Sequence, residues 1–196
     1  MNNNSKPIGI FDSGLGGLTL LNKMKSILPN ETFIYLGDTA HLPYGSKSKQ
    51  TIEFYSKKIV DFLVLKDVKL IIVACNTASS LAGEFLKKHY SIPIIEVITP
   101  CINNALKYTN NNNIGVIGTT ATINSNIYSK KINCINDNVV VTEIACPLLV
   151  PIIEEGWHKY NIGTEILAKY LNNFENTNID TLILGCTHYS IIEKEI

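Results

Sequence analysis

Short apolar runs alternate with longer amphipathic stretches along this chain. Ile8-Gly-Ile-Phe11, Phe33-Ile-Tyr-Leu-Gly37, Leu70-Ile-Ile-Val-Ala74 and Pro93–Val97 read as strands. Continuous apolar runs of this length suit a sheet covered on both faces. Between them, one helix runs to about Leu28, where Pro29-Asn30 stops it. A second spans Ser48 to Lys66, with Ile52, Tyr55, Ile59 and Phe62/Leu63 near helical spacing. A third follows Cys75 to about Tyr90, and Asp38 to Ser46, with Pro43-Tyr44-Gly45, is a loop. After a boundary near Thr99-Pro100 come a helix to about Tyr108, a polar turn at Asn110–Asn113 and a strand from Ile114. Val139–Glu143 is a strand, Cys146–Gly156 an irregular apolar segment, and Gly163–Asn172 a helix. The last strand ends at Cys186. Strands and helices in alternation predict the α/β class with mainly parallel sheets.

The two halves echo each other. Ile114-Gly-Val-Ile-Gly-Thr-Thr120 resembles Ile8-Gly-Ile-Phe-Asp-Ser-Gly14. The strand that ends at Cys75-Asn76-Thr77 is matched, at nearly the same interval, by the strand that ends at Cys186-Thr187-His188. This predicts two pseudo-symmetric three-layer lobes, residues 1–98 and 99–196, with an active site in the cleft between them. Ligands of open parallel sheets bind beyond the carboxyl ends of the strands, and Asp12, Cys75, Thr119 and Cys186 all fall at such ends.

That placement gives the cysteines their chemistry. A thiol where a strand meets a helix amino end faces backbone N–H groups and the positive end of the helix dipole. The pKa of Cys75 is therefore expected below the free value of ~8.5. A single such cysteine is as readily a core residue closing a strand; two of one design are not so easily dismissed. The turn Asp12-Ser-Gly-Leu-Gly-Gly17 lacks the Gly-Lys-Ser/Thr of a phosphate loop, and Thr19 stands where a dinucleotide fingerprint needs its third glycine. It is read as a loop whose N–H groups approach a small anion, with Asp12 and Ser13 at its mouth. The alternative is a tight turn with Asp12 as its cap.

Composition narrows the setting. The 196 residues suffice for one large domain or two small lobes. Seventeen basic and seventeen acidic side chains cancel, leaving no basic face for nucleic acid. Every basic residue is Lys, so no guanidinium is present to grip a carboxylate in bidentate fashion. The five cysteines, at 75, 101, 134, 146 and 186, are odd in number and contain no C-x-x-C pair. Cys101, Cys134 and Cys146 are read as structural, and His41 has no evident role. Met1–Pro7 is polar and short, without the marks of a signal peptide, and no apolar run reaches the ~18 residues of a membrane span. Free thiols in a reduced, cytoplasmic setting are expected. Neither the histidines nor the cysteines have metal-ligand spacing.

Two like acid–base groups on opposite sides of a small molecule suit a reaction symmetric about one carbon. One thiolate takes a proton from one face, and the other thiol returns one to the opposite face. That is racemisation or epimerisation, and it needs no cofactor.

Six motifs in order carry a resemblance: Asp12-Ser-Gly-Leu-Gly-Gly, Pro43-Tyr-Gly, Ala74-Cys-Asn-Thr-Ala-Ser, Gly115-Val-Ile-Gly-Thr, Val150-Pro-Ile-Ile-Glu and Leu184-Gly-Cys-Thr-His. Together they resemble the glutamate racemases of the aspartate/glutamate racemase superfamily, from about Ile8 onward. The resemblance implies a cofactor-independent enzyme that makes D-glutamate for peptidoglycan. It implies Cys75 and Cys186 as the two proton donors and acceptors, Cys75 for D-glutamate and Cys186 for L-glutamate. Asp12 would assist Cys75; Glu154 and His188 would assist Cys186. Asp12, Ser13, Tyr44, Gly45, Asn76, Thr77, Thr119, Thr122, Thr187 and His188 would line the substrate pocket. No nucleic acid, membrane or metal partner is implied, and a homodimer is compatible. Read alone, His188 is as well an ordinary partly buried histidine and Glu154 a surface acid beside Glu155.

Three other readings stay open: a sister racemase for aspartate or another amino acid, a related single-cysteine decarboxylase, and a non-catalytic binding protein on this scaffold. The decarboxylase fits least, since both cysteines are present. The chain stops at Ile191–Ile196 inside an expected helix with no glycine cap. Members of the resembled family continue further, with a segment that packs on the first lobe. The sequence is therefore read as truncated, with apolar surface expected on that lobe.

Overall fold

The computed structural model describes residues 5–196. Met1–Asn4, the start of the polar stretch read as lacking a signal peptide, lie outside the described residues. Contacts divide the chain into two compact units, one ending at Val97 and the other beginning at Ile98.

The first unit is built on a parallel sheet of β1 (Ile8–Asp12), β2 (Phe33–Gly37), β3 (Leu70–Val73) and β4 (Ile94–Glu96), in the order β2-β1-β3-β4. β1 lies at its centre and is buried along its whole length. Its side chains alternate between faces, as a strand requires. Phe11 joins Ile71 and Val73 in the core under α2 (Lys49–Leu65) and α3 (Asn76–His89), while Ile8 and Ile10 join Ile72 on the other face. There they meet Leu20, Leu21 and Met24 of α1 (Leu18–Ile27). α2 starts where Ser48 Oγ accepts the N–H of Thr51 at 3.2 Å, and it turns Ile52, Ile59, Val60 and Leu63 inward. α3 ends in Lys87, Lys88 and His89, which favour the negative end of its dipole.

The second unit repeats the topology with three strands: β5 (Asn113–Gly118), β6 (Val140–Ala145) and β7 (Thr181–Gly185), all parallel and ordered β6-β5-β7. Ile114 and Val116 face a core shared with α4 (Ile98–Tyr108) and α6 (Ile127–Ile135), and Ile117 faces α7 (Leu149–Glu154) and α8 (Asn161–Leu171). Each unit therefore has three layers, and in each the first strand is flanked by the second and third. Among the described residues no helix is long and apolar enough to cross a membrane.

Three segments differ from the pattern reading. Cys146–Gly156 is not irregular throughout: Leu149–Glu154 is helical, with Leu149, Ile152 and Ile153 buried at helical spacing. Pro151 is tolerated because it lies in the first turn, where N–H groups lack helical partners in any case. Between Thr119 and Val139, where no element was expected, stand α5 (Thr120–Asn124) and α6, separated by Asn126 in the left-handed region. The final stretch is a run of 3-10 turns over Thr187–Ile192 rather than a helix continuing to the end. His188 and Tyr189 are drawn into the core there, with the Tyr189 hydroxyl donating to the Cys146 carbonyl at 3.1 Å. That anchoring holds a tighter winding than an α-helix.

Candidate active site

In the first unit, β1 delivers Asp12 fully buried at its carboxyl end. The carboxylate Oδ2 accepts the N–H groups of Gly14 and Gly17, each at 3.1 Å. Part of the glycine turn's anion-binding capacity is thus spent on Asp12 itself, the contact expected of the alternative reading in which Asp12 caps a tight turn. Gly17 has no room for a side chain, since a Cβ there would stand 2.7 Å from Asp12 Cβ. The Tyr35 hydroxyl of β2 donates to the Gly14 carbonyl at 2.7 Å and pins the same turn from the other side. No pattern in the sequence singled out Tyr35.

Cys75 caps α3: its sulfur accepts the N–H of Ala78 at 3.4 Å. Asn76 and Thr77 begin the helix, both buried. The helix terminus does not leave the thiol acidic. Burial, then the neighbouring Asp12 carboxylate, push Cys75 up to about 11, against the opposing pull of Ala78 N–H and of the hydroxyl and N–H of Ser13. The expected depression is therefore reversed. Desolvation and a like charge outweigh two or three hydrogen bonds. Alkylation of Cys75, followed by mass spectrometry, should accordingly rise with pH toward a midpoint near 11. Asp12→Asn removes a negative charge that opposes the thiolate, so it should move that midpoint down. A midpoint unchanged or raised in Asp12→Asn would contradict this reading of the site's electrostatics.

Tyr44 and Gly45 stand in a 3-10 turn, Tyr44–Ser46, that follows the cis Leu42–Pro43 peptide. Tyr44 is buried, and its hydroxyl donates to Asp38 Oδ2 at 2.6 Å. Burial, then the hydrogen bond and charge of Asp38, hold it well above the ordinary phenol range, with further contributions from Cys75 and Asp12. The charges of Asp12 and Cys75 act on Tyr44 just as they act on Tyr35, so all four groups share one neighbourhood.

In the second unit, Thr119 caps α5 at the end of β5. Its Oγ1 accepts the N–H of Thr122 at 3.3 Å and lies 3.0 Å from the Thr122 hydroxyl, which is buried. Cys186 follows β7 directly, buried, with Thr187 next to it. Its sulfur lies 3.7 Å from His188 Nδ1, and His188 Nε2 lies 3.0 Å from Glu154 Oε1 at the end of α7. Glu154, at the surface, is thus paired with His188, which is itself 5% exposed. A carboxylate only accepts, so Nε2 carries a proton toward Glu154. Nδ1 is left facing the thiol, able to receive its proton and to stabilise the thiolate once protonated.

The two thiols therefore have different surroundings. Cys75 sits beside a carboxylate and N–H donors; Cys186 sits beside an imidazole backed by a carboxylate. All the residues expected near Cys75 lie in the first unit, and Thr119, Thr122, Glu154, Thr187 and His188 lie with Cys186 in the second.

These features define a class: parallel α/β proteins of two like units, with one buried thiol at the end of a sheet strand in each. Residues 8–196 match the family model described as Asp/Glu/Hydantoin racemase. The chain is 48% identical over 191 residues to a glutamate racemase of Geobacter metallireducens, covering 97% of this chain and 71% of that one. It superposes with a TM-score of 0.93 and 45% identity on the crystal structure of a Francisella tularensis glutamate racemase in complex with D-glutamate, covering 98% of this chain and 73% of that one. An Escherichia coli glutamate racemase in complex with L-glutamate and the activator UDP-MurNAc-Ala gives a TM-score of 0.80 at 26% identity, over 97% of this chain and 73% of that one. The chain belongs to the Asp/Glu/hydantoin racemase family, which is a family of isomerases.

Proposed function

We propose that this protein interconverts L- and D-glutamate without a cofactor, with Cys75 and Cys186 as its two proton-transfer groups, and so supplies D-glutamate for peptidoglycan. The observation that carries the proposal is the pair of dissimilar thiol sites. Racemisation requires one group to start as base and the other as acid, and the reverse for the opposite substrate. Two identically placed thiols would have no reason to differ; an imidazole on one side and a carboxylate on the other give each its own means of switching. On the Cys186 side, His188 takes the thiol's proton, Glu154 steadies the imidazolium, and the thiolate abstracts the α-proton of L-glutamate. The carbanion is then protonated on its opposite face by Cys75, which burial and Asp12 keep as a thiol. For D-glutamate the sequence runs backward. The α-ammonium of the substrate, brought beside Cys75 and Asp12, supplies the positive charge that lowers the Cys75 pKa toward working pH. With no arginine in the chain, the substrate carboxylates fall to the hydroxyls and amides of Ser13, Asn76, Thr77, Thr119, Thr122 and Thr187 and to N–H groups near Tyr44, Gly45 and His188.

Glutamate is favoured over aspartate by the identities: relatives named glutamate racemase stand at 45–48%. A Picrophilus torridus aspartate racemase, at 18%, shares the fold alone.

Incubation with L-glutamate and, separately, L-aspartate, with chiral analysis of the products, is expected to give D-glutamate and little D-aspartate. The activity should persist after dialysis against a chelator and after treatment with a carbonyl reagent that traps pyridoxal phosphate. Product only from aspartate would overturn the substrate. Loss of activity to either treatment, restored by adding back metal or pyridoxal phosphate, would overturn the thiol-only mechanism.

A further inference from the structure

His41 has no evident role in the sequence, yet the structure ties it to the candidate pocket. Its Nδ1 lies 2.7 Å from Asp38 Oδ1, and the other oxygen of that carboxylate accepts the Tyr44 hydroxyl at 2.6 Å. Because a carboxylate only accepts, Nδ1 carries the proton and donates. The imidazole ring is stacked on Tyr55 of α2, with centroids 4.0 Å apart and planes 23° from parallel. The Tyr44 ring lies against the same Tyr55, at 6.3 Å. One carboxylate thus joins two side chains, and one helix residue backs both rings. The Asp38 side chain can turn about two bonds. The His41 donor on Oδ1 holds the plane of the carboxylate, and so fixes the place of the oxygen that accepts the Tyr44 hydroxyl.

We propose that His41 is a positioning residue: acting through Asp38, it fixes Tyr44 and with it the Pro43–Gly45 turn that presents Tyr44 and Gly45 to the substrate. The effect on turnover rests on the glutamate racemase reading above; the link to Tyr44 does not. A group that only holds the binding turn affects ground state and transition state alike, so its loss raises KM and leaves kcat nearly unchanged.

Two substitutions separate the hydrogen bond from the ring. His41→Phe keeps an aromatic ring over Tyr55 and removes the donor. His41→Asn keeps an N–H at nearly the reach of Nδ1 and removes the ring. His41→Phe should raise KM for glutamate about tenfold with kcat within about twofold, and His41→Asn should restore KM to within about threefold of the parent. With tyrosine labelled by 13C at Cζ, the Tyr44 resonance, identified by its absence in Tyr44→Phe, should move in His41→Phe and return toward its parent position in His41→Asn. If His41→Phe leaves both KM and the Tyr44 resonance unchanged, the proposal is wrong. If His41→Asn is as impaired as His41→Phe, an N–H donor at this position does not restore Tyr44, and the proposal is likewise overturned. Should the parent itself fail to act on glutamate, the assigned activity falls, while the Tyr44 resonance still decides the His41 link. Circular dichroism spectra matching the parent are expected for both variants, because the His41 side chain is 43% exposed.

Discussion

Replacing either Cys75 or Cys186 by Ala is expected to abolish glutamate racemisation, lowering the rate by about a thousandfold or more. Inversion needs a proton removed from one face and another delivered to the opposite face, so a protein with one thiol can complete half the reaction. Ser should be nearly as damaging, since a hydroxyl is a far weaker acid and supplies little anion near neutral pH. The Ser variants are nonetheless informative. An analogue with a leaving group on its β-carbon needs only abstraction of the α-proton; the electron pair then expels the leaving group, and no second proton is required. With Cys186→Ser, elimination should continue from the D-enantiomer through Cys75. With Cys75→Ser, it should continue from the L-enantiomer through Cys186. His188→Asn should follow Cys186→Ser in this test, because it removes the acceptor for that thiol's proton and leaves the Cys75 side untouched. Elimination from one and the same enantiomer by both Ser variants, or racemisation by either at the parent rate, would refute the two-thiol mechanism.

The second large effect is expected from a methyl group placed well outside the reacting atoms. A Cβ at Gly37 would overlap the carbonyl oxygen of Gly14, a backbone atom that no side-chain rotation can move aside. That carbonyl already accepts the Tyr35 hydroxyl, and the Gly14 N–H is bound to Asp12. Gly37 is also paired with Asp12 across β1 and β2. Gly37→Ala must therefore push the Ser13–Gly17 turn off β2 and carry Asp12 and Ser13 with it. Overpacking of this kind costs about 1–3 kcal/mol of stability. The displaced turn should cost about a hundredfold in turnover, the scale of a 1 Å misplacement. Gly83→Ala provides the contrast. Gly83 lies in α3, and its added Cβ would meet Glu96 Cγ at 3.6 Å, an ordinary contact. A helix interior gains about 0.5–1 kcal/mol from Ala over Gly, so this variant should unfold at a higher temperature with activity intact. Thermal unfolding and turnover measured on both variants check the pair. Parent-like activity in Gly37→Ala would show that the turn does not position Asp12.

Much of the scaffold was legible because it depends on local order. The apolar runs of β1, β3, β5 and β7 are each short enough to be strands and each ends in a turn-forming or thiol-bearing residue. The periodicity of α2 and α3 is visible without any neighbour. α7 was obscured because Pro147 and Pro151 mask a helix of under two turns that only burial of Leu149, Ile152 and Ile153 makes plain. The placement of both cysteines and their flanking polar residues after a strand was also legible.

What the sequence by itself determined was the position of each thiol along the chain: at the end of a buried strand, with a small polar residue after it. What only the tertiary structure decided was the state and partner of each. Local reasoning placed Cys75 at a helix terminus and predicted an acidic thiol; burial and Asp12, which arrives from a different strand, raise it instead. Glu154 and His188 lie 34 residues apart, Tyr35 and Gly14 lie 21 apart, and their contacts exist only once packing has brought their elements together. Periodicity is a property of consecutive residues, whereas desolvation and hydrogen bonding depend on which groups share a volume, and that is fixed by packing alone.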